Sequence, residues 1–451
     1  MLEPQSTVLF LLLLVVFVGL VAWMALARQP VFRVLAACLA FIPAMLFGVA
    51  AVNKYYDYYQ TWGAMAADLG GQGTTQVASA PIVDRASARQ ISAILGSKLN
   101  LKAAAEHGQT IRMTVPGKLS HLSRTAYVYL PPQYFRAGYS RFHFPVIELF
   151  PGFPGTPLDW IDVMGFTTAY AALLADGVVK PAVLVMPDTN GGTRISLQCL
   201  NVRHGPQDAT YLAGDLPSYL PTVLRVQPSG PAWGVAGYSE GGYCAANLAL
   251  VYRLHWGAAG ILSGYFSPGR DQLGNPPRLV DPFGHNKHAL RENTPRLRIA
   301  ALPVSDSIPR FWLGVGSRDV LGLRDAHNFQ RLLVARQPSA RLDIVPGGGH
   351  TMATWRALTP PLLEWMTPLL TQAAEHPCSS SSWARRGRRT PGPATTRPRS
   401  RRPGAAQSVV RPLRRRDGIA WSPASRSSTR ACSTVRWCSA APSARCRPSS
   451  R

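Results

Sequence analysis

Two stretches of 19 residues, Val8–Leu26 and Val34–Val52, contain no charged side chain. A backbone in hydrocarbon must satisfy every N–H and C=O internally, so segments like these cross a bilayer only as helices. Each is just long enough to span a hydrocarbon core of about 30 Å. Pro43 interrupts the second run, which membrane helices tolerate better than soluble ones. The link between them carries Arg28 and Arg33, whereas only Glu3 precedes the first run. The positive-inside tendency therefore puts the link in the cytoplasm and everything after Val52 outside. Tyr55, Tyr56, Tyr58, Tyr59 and Trp62 follow at once, as an aromatic belt at the outer interface would. Two readings compete with a two-helix anchor. One is a signal peptide cleaved near Ala25-Leu26-Ala27, against which the n-region lacks a cation and the run exceeds the usual h-region. The other is a pair of buried core helices.

The chain of 451 residues is 46% hydrophobic and carries a formal charge of +25, which invites a nucleic-acid reading. The distribution of the charge argues against it. From Cys378 to Arg451 there are 18 Arg, no Lys, no Glu and one Asp, Asp417, so most of the excess sits in the last 74 residues. No nucleic-acid partner is expected. The tail from about residue 377 has no hydrophobic periodicity and reads as disordered. A polybasic arm for anionic lipid is one reading of it. Its abrupt change of composition, scattered Cys and stray Trp383, Trp421 and Trp437 favour an incidental or out-of-frame extension.

Between these ends, residues 63–107 are rich in Gly, Ala, Ser and Gln and read as a linker with one helix between Ala86 and Ala105. From Ile111 onward, short β-branched runs alternate with longer amphipathic ones. The pattern predicts strands over Ile111–Val115, Ala126–Leu130, Val146–Phe150, Ala182–Met186, Ala232–Tyr238, Ala258–Leu262, Phe311–Val315 and Arg341–Val345. It predicts helices over Trp160–Ala175, Leu216–Leu224, Gly241–Arg253, Asp325–Ala335 and Met352–Leu370. Alternation of this kind implies crossover units and a mostly parallel sheet with an antiparallel beginning. The organisation expected is an anchor over 1–62, a linker over 63–107, an α/β domain over 108–376 and a tail over 377–451. The stretch Ser263–Pro309 has many Pro and Gly and no clear helix, and is expected to wrap the mouth of the site.

Gly237-Tyr238-Ser239-Glu240-Gly241 is a G-x-S-x-G sequence between an apolar strand and a helix. A nucleophilic serine held on such a sharp turn needs small residues two positions either side, where the backbone passes close. The following helix also points its positive end at a developing oxyanion. A serine nucleophile needs a base, and the base a carboxylate to orient it. His350 is the best placed of ten histidines, on the loop Gly347-Gly348-Gly349 after the last strand. His204 and His285 have the reach to line a pocket. Asp319 follows the penultimate strand, which gives the chain order Ser…Asp…His of the α/β-hydrolase arrangement. Asp325 is the fallback, and Asp306 lies at the wrong end of its strand. Two backbone N–H groups must bind the oxyanion. Glu240 supplies one. Phe153 supplies the other, because its neighbours Pro151 and Pro154 have no N–H.

None of the seven cysteines shows C-x-x-C spacing, so zinc and thioredoxin-type redox chemistry have little support. Four lie in the tail and Cys38 in the second apolar run. Cys199 and Cys244 remain in the body, on elements a doubly wound sheet makes neighbours, and could form a disulfide. Two buried free thiols are the alternative.

Residues of about 108–372 resemble the putative-esterase branch of the α/β-hydrolases, which includes esterase D, enterochelin esterases and the mycolyltransferases of actinobacteria. The likeness rests on Ala126–Pro132, Pro151-Gly152-Phe153, Gly237–Gly241, Gly316–Asp319 and Gly349-His350. Pro151 stands where many relatives place His or Asp. The membrane-anchored arrangement is similar to that of actinobacterial membrane esterases. The resemblance implies an α/β-hydrolase fold and an acyl-enzyme at Ser239, with Asp319 and His350 completing the triad. It implies no metal or organic cofactor. The expected protein is an extracytoplasmic serine esterase tethered to the bilayer through residues 8–52, acting on an ester or acyl-lipid substrate. Transfer of the acyl group to a sugar or lipid alcohol is the alternative, and a catalytically idle cell-surface binding domain a second one.

Overall fold

The computed structural model describes residues 3–69, 78–79, 101–193, 195–269 and 281–375. The expectations for the tail, and for most of the linker, lie outside them. Two long apolar helices come first, α1 (Thr7–Leu26) and α2 (Pro30–Tyr56), both long and apolar enough to cross a membrane. The Ser6 side chain caps α1 by accepting from Leu9 N–H at 3.2 Å. Pro30 opens α2, a position where its missing N–H costs nothing. The two pack together, with Phe10 edge-on to Phe47. A short helix α3 (Trp62–Leu69), a two-residue strand β1 (Ala78–Ser79) and helix α4 (Leu101–His107) occupy the segment read as a linker.

The body is a nine-stranded sheet in the order β1-β2-β3-β5-β4-β6-β7-β8-β9. Its strands are β2 (Gln109–Pro116), β3 (Ser123–Leu130), β4 (Val146–Phe150), β5 (Val183–Pro187), β6 (Gly230–Tyr238), β7 (Trp256–Leu262), β8 (Arg310–Gly316) and β9 (Arg341–Val345). β3 runs antiparallel to both β2 and β5, and every other pair is parallel. β4 and β5 are buried along their whole length, as near-continuous apolar strands must be when helices cover both faces. One face packs against α5 (Phe166–Ala175) and α11 (Met352–Glu375). The other packs against α6 (Leu216–Val223), α7 (Glu240–Val251), α9 (Pro295–Ala301) and α10 (Val320–Val334). This is the α/β-hydrolase fold.

Three expectations need correction. The helix expected over Trp160–Ala175 is a single tight turn, Pro157–Trp160, followed by α5. Gly165 breaks it by taking a left-handed φ of 61° in front of Phe166. α10 begins at Val320 instead of Asp325, because Asp319 caps it through Gly322 N–H. Among its described residues, the stretch 263–309 holds two short helices, α8 (Lys287–Glu292) and α9. Asn286 caps the first and Pro295 opens the second, so the signals were local and present.

Candidate active site

The parallel register brings four loops to the carboxyl edge of the sheet. Phe150 at the end of β4 pairs with Gly237 of β6, so the loop 151–156 starts beside the G-x-S-x-G turn. Gly316 of β8 pairs with Val345 of β9, which sets the Asp319 and His350 loops side by side. Hydrogen bonds from Arg318 N–H to Gly348 C=O, at 2.8 Å, and from Gly347 N–H to the Ser317 hydroxyl, at 2.8 Å, tie those two loops together.

Ser239 sits between β6 and α7 with φ 54° and ψ −117°, a region a non-glycine residue enters only when its surroundings force it. The forcing is steric and visible. A Cβ on Gly237 would collide with the Gly241 backbone, and one on Gly241 with the carbonyls of Phe150 and Pro151. With both positions bare, the turn closes and lifts the Ser239 side chain into the cavity.

His350 Nε2 lies 2.9 Å from Ser239 Oγ, and its Nδ1 lies 2.8 Å from Asp319 Oδ2. With the Nδ1 proton donated to the carboxylate, Nε2 is left to accept from the serine hydroxyl. The Asp319 side chain is buried, and its other oxygen accepts from Gly322 N–H at 3.0 Å. Burial pushes the Asp319 carboxyl up. The hydrogen bond and charge of His350, with the Gly322 N–H and the Ser263 hydroxyl, outweigh it and hold the group below its ordinary value. Trp355, one turn into α11, sets its ring edge-on to His350 and stacks on Tyr238, which limits the tilt of the imidazole.

Phe153 and Gly152 line the cavity with Ser239, and a Cβ on Gly152 would stand 3.3 Å from the Ser239 Cβ. Glu240 heads α7, so its N–H belongs to the helix's positive end, and its carboxylate accepts from the Ser196 hydroxyl. Asp325 lies within α10 with its carboxylate 3.8 Å from Arg324 Nε. His285 is paired with Asp281, and neither it nor His204 is among the described residues that wall the cavity. Cys199 and Cys244 are joined as a disulfide, with their α-carbons 5.6 Å apart.

The cavity has a volume of about 490 Å³, and residues 270–280 of the stretch expected to wrap its mouth lie outside the described residues. Among the described residues, none of 263–309 walls it. Its far side is built by Val49, Val52, Asn53 and Tyr56 of α2 and by Met65 of α3. Tyr58 donates to Asp159 Oδ2 at 2.7 Å, where Tyr238 also donates, at 2.9 Å. The end of the apolar hairpin is thus hydrogen-bonded to the residue next to Ser239 through one carboxylate. Asp159 and Tyr58 escaped sequence reasoning as partners, because nothing local marks them as such.

A serine, an imidazole and a carboxylate in hydrogen-bonded series can generate a nucleophilic alkoxide at neutral pH. The family model described as Putative esterase matches residues 121–366. The chain belongs to that esterase family. It is therefore a hydrolase. An uncharacterized protein of Corynebacterium glutamicum is 25% identical over 352 residues, 74% of this chain and 76% of the relative. Among solved structures, a ferulic acid esterase matches with a TM-score of 0.50 at 17% identity, over 58% of this chain and 99% of its own. The fluorophosphonate-binding serine hydrolase F of Staphylococcus aureus matches at 0.49 and 18%, over 58% of this chain and 98% of its own. Likeness at this identity concerns the fold of the esterase body alone.

Proposed function

We propose that this esterase works through Ser239, His350 and Asp319 as nucleophile, base and orienting acid, and that α1 and α2 anchor it in a membrane with the body outside. The hydrogen-bonded series Ser239–His350–Asp319 carries the reading. As Ser239 Oγ attacks an ester carbonyl, its proton passes to His350 Nε2, and Asp319 stabilises the imidazolium so formed. The N–H groups of Phe153 and Glu240 receive the oxyanion of the tetrahedral intermediate. His350 returns the proton to the departing alcohol, leaving an acyl group on Ser239. Water, deprotonated by His350, then attacks that carbonyl, and collapse releases the acid and restores the serine.

The extracytoplasmic placement is supported by Arg28 and Arg33 in the link between the helices. A disulfide within the body, Cys199–Cys244, belongs to an oxidising compartment and supports the same side.

Hydrolysis of p-nitrophenyl acetate by the full chain tests the assignment. Ser239→Ala and His350→Ala should each abolish all but a small residue of the rate. The double variant should be little worse than the worse single one, since the groups act as a unit. Hydrolysis retained in Ser239→Ala would end the reading.

A further inference from the structure

The wall that α2 contributes to the Ser239 cavity has a consequence for the substrate. Val49, Val52 and Tyr56 lie on the last turns of α2, and they line the same space as Ser239 and His350. Val49 is 50% exposed and Val52 59%, so the cavity is open along this side, onto the outer surface of the apolar helix. The polar groups that share this lining are engaged in bonds of their own. Asn53 exchanges two hydrogen bonds with the Tyr59 backbone, at 2.9 and 2.7 Å, and the Asp159 carboxylate is taken by Tyr58 and Tyr238. The lining beside the serine is mostly hydrocarbon, in a volume within the usual range for small-molecule sites.

The wall is also held firmly. Arg356 of α11 pairs with Asp57 and donates to the carbonyls of Tyr58 at 3.3 Å and Val163 at 2.8 Å. The end of α2 is thereby fixed against the domain instead of hanging on a tether. A helix that crosses a bilayer ends at its surface, and here that end forms part of the reaction chamber. An acyl chain lying along α2 in the lipid would reach Ser239 without crossing water.

We propose that the last turns of α2, with Met65, form an acyl-chain subsite, and that the substrate is a long-chain acyl ester drawn from the bilayer along α2. This rests on the reading of Ser239 as nucleophile and of α1 and α2 as membrane spans. Each methylene accommodated against this wall should raise kcat/KM about fourfold, the worth of one buried CH₂. A soluble short-chain ester would leave the wall unused.

The test uses the full chain in phospholipid nanodiscs, with p-nitrophenyl acetate and p-nitrophenyl decanoate as substrates. The readout is the ratio of kcat/KM for decanoate to that for acetate, with active sites counted by fluorophosphonate labelling. Comparing that ratio between wild type and variants in one nanodisc composition cancels partition of the longer ester into lipid. Wild type should favour decanoate by at least about tenfold. Val52→Trp, which fills the wall, should lower the ratio at least tenfold at full labelling. Met65→Trp reads the same wall from outside the spans and decides the matter if Val52→Trp is not recovered folded. An unchanged ratio in a fully labelled variant overturns the subsite and leaves the nucleophile standing. A wild type that takes no label removes the nucleophile and the subsite with it.

Discussion

Arg356, on the last helix, forms an ion pair with Asp57, 299 residues earlier at the end of α2. The same guanidinium reaches the backbone carbonyls of Asp57, Tyr58 and Val163. Both side chains are mostly buried, so removing one leaves the other charge poorly solvated. Arg356→Ala should lower stability by about 1–3 kcal/mol, read as a fall in Tm of the full chain in detergent. Asp57→Asn keeps a carbonyl acceptor for Arg356 and should cost less. Equal Tm in wild type and Arg356→Ala would mean that the latch contributes nothing.

The turn that carries Ser239 tolerates no added atom. Gly237→Ala and Gly241→Ala place a methyl group against backbone, which cannot yield, and should abolish recovery of folded protein. Gly152→Ala meets the Tyr238 ring at 2.7 Å and the Ser239 Cβ at 3.3 Å, at the rim of the same turn. It should leave soluble protein with kcat lowered about tenfold or more, because small displacements of a nucleophile are costly. Full activity in Gly241→Ala would contradict the steric account of the turn.

Asp319 gives the pH dependence a sign. Its carboxyl is held below the ordinary value, so the folded state binds its proton more weakly than the unfolded chain does. The stabilisation is fully present above the unfolded value of about 3.9 and is lost as pH falls through the folded one. Asp319→Asn removes this dependence. Its Tm should therefore fall less steeply than that of wild type below about pH 4. At neutral pH the same variant should lose about 10⁴-fold in kcat, since the amide no longer selects the productive imidazole tautomer. Parallel acid curves for the two proteins would show that the bond to His350 carries no such linkage.

The disulfide and the topology test one another. Cys199 and Cys244 are 45 residues apart in sequence, and closing a loop of that size is worth on the order of 4 kcal/mol in the chain-entropy model. Non-reduced peptide mapping should recover the two joined, and Cys199→Ser with Cys244→Ser should lower Tm substantially. On intact cells, Lys118→Cys, on an exposed loop of the body, should react with a membrane-impermeant maleimide. Reaction only after lysis, together with free thiols at 199 and 244, would put the body in the cytoplasm.

Much of the fold was legible because its signals are local. Val146–Phe150 and Arg341–Val345 are strands with the bounds their β-branched patterns suggest. Ser239, Asp319 and His350 stand out by strand-end position and chain order, which fold topology converts into proximity. Gly165 interrupts an apolar run that otherwise reads as one helix, because glycine enters the left-handed region without steric cost. What pattern could not reach was the docking of α2. Arg356 and Asp57 are ordinary charges in their own windows, and Tyr58 and Tyr59 look like interfacial aromatics. They pack against the body instead of standing free. A linker-like composition after Trp62 suggested a tether, and composition carries no information on where the preceding helix rests.

The most direct measurement is the mass and site of a covalent adduct. Incubated with a fluorophosphonate, the full chain should gain one phosphonyl group, and peptide mapping should place it on Ser239. Ser239→Ala should take none, and His350→Ala should react far more slowly. An adduct on another serine, or undiminished labelling of Ser239→Ala, would contradict the account.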